Sequence, residues 1–219
     1  STNLNIVNRA KGVLCLKITC KGKTAHGAYT WRGKNAICGT DLILNVLEKK
    51  YPVLTSEQWR TTVNLSKIET SNNSFNKIPD DCTAWLDIRY TPDDTKTILE
   101  SVKKLVPKGF KVEVVIQEPA LFVDESNKYL KNLQKIAEKI TKKKVIIYGA
   151  HGSSDARHFI NVNCNGIEFG PAGGNIGSES EWVDIPSLES YCLILKNFLL
   201  SLSDYKQQLC SANYKVKLT

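Results

Sequence analysis

Three settings in this 219-residue chain hold side chains suited to chemistry. The first is the loop Gly149-Ala150-His151-Gly152-Ser153-Ser154-Asp155, which leads into a helical segment. A Gly-rich loop of this kind presents amide N–H groups and hydroxyls to an anion. Gly152, Ser153 and Ser154 are its candidate cradle, Arg157 a second binding group, and Asp155 a helix N-cap or loop brace. The second is His26, in a turn bracketed by Gly22 and Gly27. An imidazole can donate a directed, charge-assisted hydrogen bond, or simply bond its own loop. The third is Arg89, on the polar side of an alternating segment, opposite Leu86 and Ile88. Its fork of donors is free to reach outward or to pair with Asp87 or Glu69.

Other constellations carry less. His151 and His158 are seven apart and lack a matching carboxylate pair, so they read as structural or solvated rather than metal-binding. Ser153, His26 and Asp155 do not make a nucleophilic triad, since no Gly-x-Ser-x-Gly elbow exists. The seven cysteines (15, 20, 38, 82, 164, 192 and 210) show no CxxC spacing. Cys15, Cys20, Cys82 and Cys192 fall inside apolar patterns and read as free buried thiols of a reducing cytosol.

These residues need a scaffold, and the hydrophobic periodicity supplies one. Val13–Cys20 alternates as a strand, and 34–49 recurs near the helical period before Pro52 breaks it. A weak strand follows over Arg60–Ile68 and a clean half-buried one over Cys82–Arg89. Thr91 with Pro92 reads as a helix start, with Ile98, Val102 and Leu105 as its apolar stripe. Phe110–Ile116 is the last strand. The order βαββαβ is ferredoxin-like and covers residues 9–118. Beyond a hinge at Glu118-Pro119-Ala120, a helix capped by Ser126 runs to about Lys142. Val145-Ile146-Ile147 then reads as a parallel strand buried on both faces, Gly166–Phe169 as another strand, and Pro186–Leu202 as a helix. So few strands do not complete a parallel α/β sheet, so 119–205 reads as the end of a larger α/β domain that begins elsewhere, with 206–219 as a tail.

Composition narrows the partners. Hydrophobic residues make up 42% and charged residues 24%, which excludes a disordered or fibrous chain. No run of about 18 apolar residues exists, so no membrane partner is expected. The net charge of +8 is scattered, and Trp85 is the lone aromatic placed for stacking on the first half's strands, which argues against nucleic acid.

Four segments in order resemble the zinc-dependent exopeptidase and amidohydrolase family of acetylornithine deacetylase, succinyl-diaminopimelate desuccinylase, aminoacylase and carboxypeptidase G. They are Lys11-Gly12 with Gly22–Gly27 and Gly33–Ile37; Asn76–Pro79 with Leu86–Pro92; Gly152–Arg157; and Phe169-Gly170-Pro171 with Glu181. The resemblance spans residues 1 to about 202. It implies a ferredoxin-like lid, often a homodimer contact, inserted into an α/β catalytic domain that binds two zinc ions. It implies that His26 polarises the scissile carbonyl, that Asn76 and Arg89 contact substrate, and that Gly152, Ser153 and Arg157 hold a substrate carboxylate. Substrates would be N-acyl amino acids or small peptides, in the cytoplasm.

The resemblance also implies that most zinc ligands and the general base lie upstream of Ser1, so the chain reads as truncated. The one ligand expected in this half, a histidine four residues before Glu181, falls on Gly177. No metal is therefore expected for this chain alone, and it reads as inactive alone. The alternative is a non-catalytic dimerisation or scaffold module, or half of a split enzyme completed by another chain.

Overall fold

The computed structural model describes residues 1–215, with side chains as far as Leu202. In chain order its elements are β1 (Ile6–Ala10), β2 (Gly12–Lys21), α1 (Ala36–Lys50), β3 (Thr62–Glu69), β4 (Asp81–Tyr90), α2 (Ile98–Leu105), β5 (Lys111–Glu118) and β6 (Leu121–Phe122). There follow α3 (Lys128–Thr141), β7 (Ile147–Ala150), β8 (Glu168–Phe169), β9 (Gly173–Gly174), β10 (Trp182–Val183) and α4 (Ile185–Lys215). The chain divides into two units. One holds Arg9–Leu121 with Ala150–Val162; the other holds Ser1–Asn8, Phe122–Gly149 and the segment from Asn163 on.

The first unit is an antiparallel sheet in the order β3-β4-β2-β5. Period-two alternation puts Leu14, Leu16 and Ile18 of β2 beside Leu86, Ile88 and Tyr90 of β4 on one buried face. Ile43 and Leu47 of α1 and Ile98 and Val102 of α2 close that core. The opposite face carries Lys17, Trp85, Asp87 and Arg89, with the Lys17 ammonium 4.9 Å from the Trp85 ring centroid. The βαββαβ order is the one the pattern predicts.

In the second unit β1 lies between β6 and β7, and β8 pairs with β1. Its core joins Ile6, Val123, Val145 and Ile194 to Leu130, Leu133 and Ala137 of α3. Helix α3 begins under Asn127, whose side-chain oxygen accepts from Tyr129 N (2.9 Å) and Leu130 N (3.3 Å).

Several local expectations need correction. Ser126 is not the cap of α3; its amide instead donates to Asp124 Oδ1 at 2.7 Å. Thr91-Pro92 opens a short 3-10 turn, in which Asp94 accepts from the hydroxyl of Thr61, and α2 starts only at Ile98. The run Val145–Ile147 is not buried throughout: Val145 is buried, Ile146 is 56% exposed, and the strand begins at Ile147. β8 pairs antiparallel with β1, not in the parallel sense. The last helix does not stop at Leu202, since no Gly or Pro follows to break it. It runs through most of the expected tail, and residues 216–219 lie outside the described residues. Cys20 and Cys82 are buried as expected, but Cys192 is exposed and Cys15 only half-buried; the Cys210 side chain lies outside the described residues.

Candidate functional site

All six expected binding and catalytic positions fall in the first unit. His26 and Asn76 are brought together at one end of its sheet. Gly27 N donates to Asn76 O at 2.6 Å and Ile78 N to Ala25 O at 2.8 Å, so the two loops pair antiparallel around His26 and Lys77. His26 is exposed. Its Nδ1 accepts from Ala28 N at 3.2 Å, which assigns the ring proton to Nε2 and leaves that N–H as the outward donor. The local backbone bond is the plain loop reading of this residue; it leaves exposed the Nε2–H that a carbonyl-polarising role would use. The Asn76 side chain is exposed and makes no hydrogen bond among the described residues.

Arg89 is not free in this conformation. Its Nε and one terminal nitrogen bond the two carboxylate oxygens of Asp87 at 2.8 and 3.1 Å. Residues two apart on a strand share a face, so this is the ion pair the pattern allowed.

The 152–157 segment is an open loop braced from below. A Cβ at Gly152 would meet nothing within 4 Å. The amides of Gly152 and Ser153 have no hydrogen-bond partner among the described residues, and both residues are exposed. Ser154, not Asp155, caps the following 3-10 helix: its buried Oγ accepts from Ala156 N at 3.1 Å. Asp155 instead accepts from Arg157 at 3.1 Å, the brace reading. Arg157 also donates to Ser154 O at 2.8 Å and pairs with Glu118 at 3.4 Å. Glu118, at the end of β5, thereby anchors the loop, a role invisible in sequence because it lies 39 residues from Arg157.

Metal ligation is a different matter. Among the described residues no group of three or more His, Cys, Asp or Glu side chains could hold an ion. Gly177 offers only its amide, which donates to Glu181 Oε2 at 3.2 Å. Its φ of +78° is left-handed, so a histidine there would be strained as well as absent.

Comparison with known proteins is consistent across three levels. The family described as peptidase dimerisation domain matches residues 8–113. Succinyl-diaminopimelate desuccinylase of Pelagibacter ubique (strain HTCC1062) is 32% identical over 201 residues, covering 86% of this chain and 52% of that enzyme. The enzyme of the same name from Rickettsia rickettsii (strain Sheila Smith) is 26% identical, covering 88% and 52%. The chain thus spans about half the length of these curated relatives. Among solved structures, aminopeptidase PepT from Bacillus cereus ATCC 10987 matches with a TM-score of 0.77 at 17% identity, covering 90% of this chain and 54% of that one. The M20 family metallo-carboxypeptidase Sso-CP2 from Sulfolobus solfataricus matches at 0.66 and 16%, covering 89% and 59%. At such identities the structural likeness establishes the fold.

Proposed function

Because this chain belongs to the zinc-dependent exopeptidase and amidohydrolase family, we propose that it supplies the lid and the substrate-binding half of such a hydrolase. Residues 9–118 are the lid and dimerisation domain, and 119–205 the C-terminal part of the catalytic domain. The reaction is cleavage of an amide bond in an N-acyl amino acid or small peptide, in the cytoplasm. The observation that carries this reading is the outward Nε2–H of His26, held beside Asn76 at the end of a sheet whose family is a peptidase dimerisation domain.

The parts divide the labour as follows. His26 donates from Nε2 to the oxygen that gains charge as the amide carbon becomes tetrahedral. The free amides of Gly152 and Ser153 receive the substrate carboxylate, and Arg157, locked to Glu118, holds the loop in shape. Arg89 reaches substrate only by exchanging Asp87 for a substrate carboxylate, a swap of like for like. A zinc pair in this family supplies an activated water. Among the described residues no donor set fits such a pair, and on this proposal the chain needs ligands from beyond them to turn over substrate.

The lid also pairs two copies. Helix α1 leaves Leu42 67% exposed and Val46 exposed beside it, and edge strand β5 exposes Val114 and Ile116. Sedimentation at micromolar concentration yields a dimer for the chain as it stands and a monomer for Leu42→Glu with Val46→Glu. A monomer for the unchanged chain contradicts the pairing.

A further inference from the structure

A second cluster in the first unit is used by none of this. Arg9 and Lys11 are two apart in extended chain and project to the same side. The Arg9 guanidinium carbon lies 5.3 Å from the centroid of the Trp59 ring, and the Lys11 ammonium 5.9 Å from it. His151 meets the same ring nearly edge-on, with centroids 5.6 Å apart. Lys11 is only 3% exposed, and that burial lowers the pKa of its ammonium. The Arg9 Nε is sealed from solvent without a hydrogen-bond partner. Among the described residues no carboxylate or carbonyl bonds either cationic head. Glu57, which touches the cluster's rim, is spent on His151 Nε2 at 3.1 Å and is largely exposed.

An ammonium withdrawn from water beside a half-buried guanidinium, with no counter-charge bonded to either, is unfavourable, and one aromatic face offsets only part of that cost. The arrangement is satisfied when a ligand brings the negative charge. We propose that Arg9, Lys11 and Trp59 form a seat for an oxyanion, the carboxylate or phosphate group of a small ligand, with His151 at its rim. The Arg9 fork takes two oxygens, the Lys11 ammonium takes a third contact, and the indole face walls off water. Through His151 the seat adjoins Gly152, so a ligand held here runs toward the open loop. It shares no residue with the groups assigned to hydrolysis, and its test is binding rather than turnover.

The test is a titration of the folded chain with sodium acetate in one arm and sodium phosphate in the other, with ionic strength held by sodium chloride. The readout is the Trp59 indole N–H signal in a ¹H–¹⁵N spectrum, assigned with Trp59→Phe. The expected result is a saturable shift in at least one arm, the arm identifying the oxyanion, and a loss of affinity of about tenfold or more in Lys11→Gln. If Lys11→Gln does not fold, Arg9→Gln is read in the same way. Absence of saturation in both arms, or an unweakened shift in the folded variant, overturns the proposal.

Discussion

The two units bury their apolar residues in different ways. In the sheet unit the strands run eight to ten residues; the central pair, β2 and β4, alternates cleanly, with Leu14, Leu16 and Ile88 fully buried, while the edge strands β3 and β5 are largely exposed. In the other unit, β6, β8, β9 and β10 have two residues each, and Trp182, Val183, Ile185 and Leu199 stand half or more exposed. A sheet that stands on its own core needs long central strands with one packed face, and β2 and β4 of the first unit provide it. The six proposed site residues follow the same division, since all lie in the first unit, where a packed scaffold can hold them.

That contrast is sharpened most by core truncation. Leu16→Ala is expected to cost about 3 kcal/mol, whereas Leu199→Ala, at a 63% exposed position, should stay within about 0.5 kcal/mol. Urea denaturation measures both, and equal costs would erase the distinction. A glycine pair probes the sheet unit against its own loop. In Gly12→Ala the new methyl would lie 2.2 Å from the Tyr90 ring, an overpacking worth about 2 kcal/mol. Gly152→Ala meets nothing and should leave stability unchanged while weakening ligand binding at the loop, checked by thermal melts alongside titration.

A smaller effect separates two neighbouring residues of the second unit. Asn127→Ala should lose about 1 kcal/mol with the cap of α3, and Ser126→Ala much less, by the same melts. The smallest is acid sensitivity. The Ser126 hydroxyl and amide hold the Asp124 carboxyl below its ordinary pKa, and those of Ser71 do the same for Asp81. A depressed folded-state pKa gives stability that is present above the unfolded value and lost as pH falls through the folded one. Asp81→Asn and Asp124→Asn should each flatten the stability profile between about pH 4 and pH 2, one per unit. An unchanged profile would deny the carboxylates that role.

What could be read from the sequence follows from how far each interaction reaches. β4 was legible because one face is packed and the other solvated, so polarity alternates residue by residue. β1 was not, because its middle residue is Asn8, buried by a bond to Val123 O at 2.8 Å that spans 115 residues. The Arg89–Asp87 pair was foreseeable at spacing two, while Glu118 under Arg157 and Trp59 under Lys11 depend on tertiary placement. Asn127 took the cap from Ser126 because both suit it chemically and only backbone direction chooses between them.

The central proposal is that side chains of this polypeptide grip and polarise a substrate, while no set among its described residues holds a catalytic metal pair. Elemental analysis of the purified chain after zinc loading and dialysis, paired with an assay on an N-acetyl amino acid, tests it most directly. The account predicts no bound zinc pair and no hydrolysis. Two zinc ions per chain with turnover would contradict it.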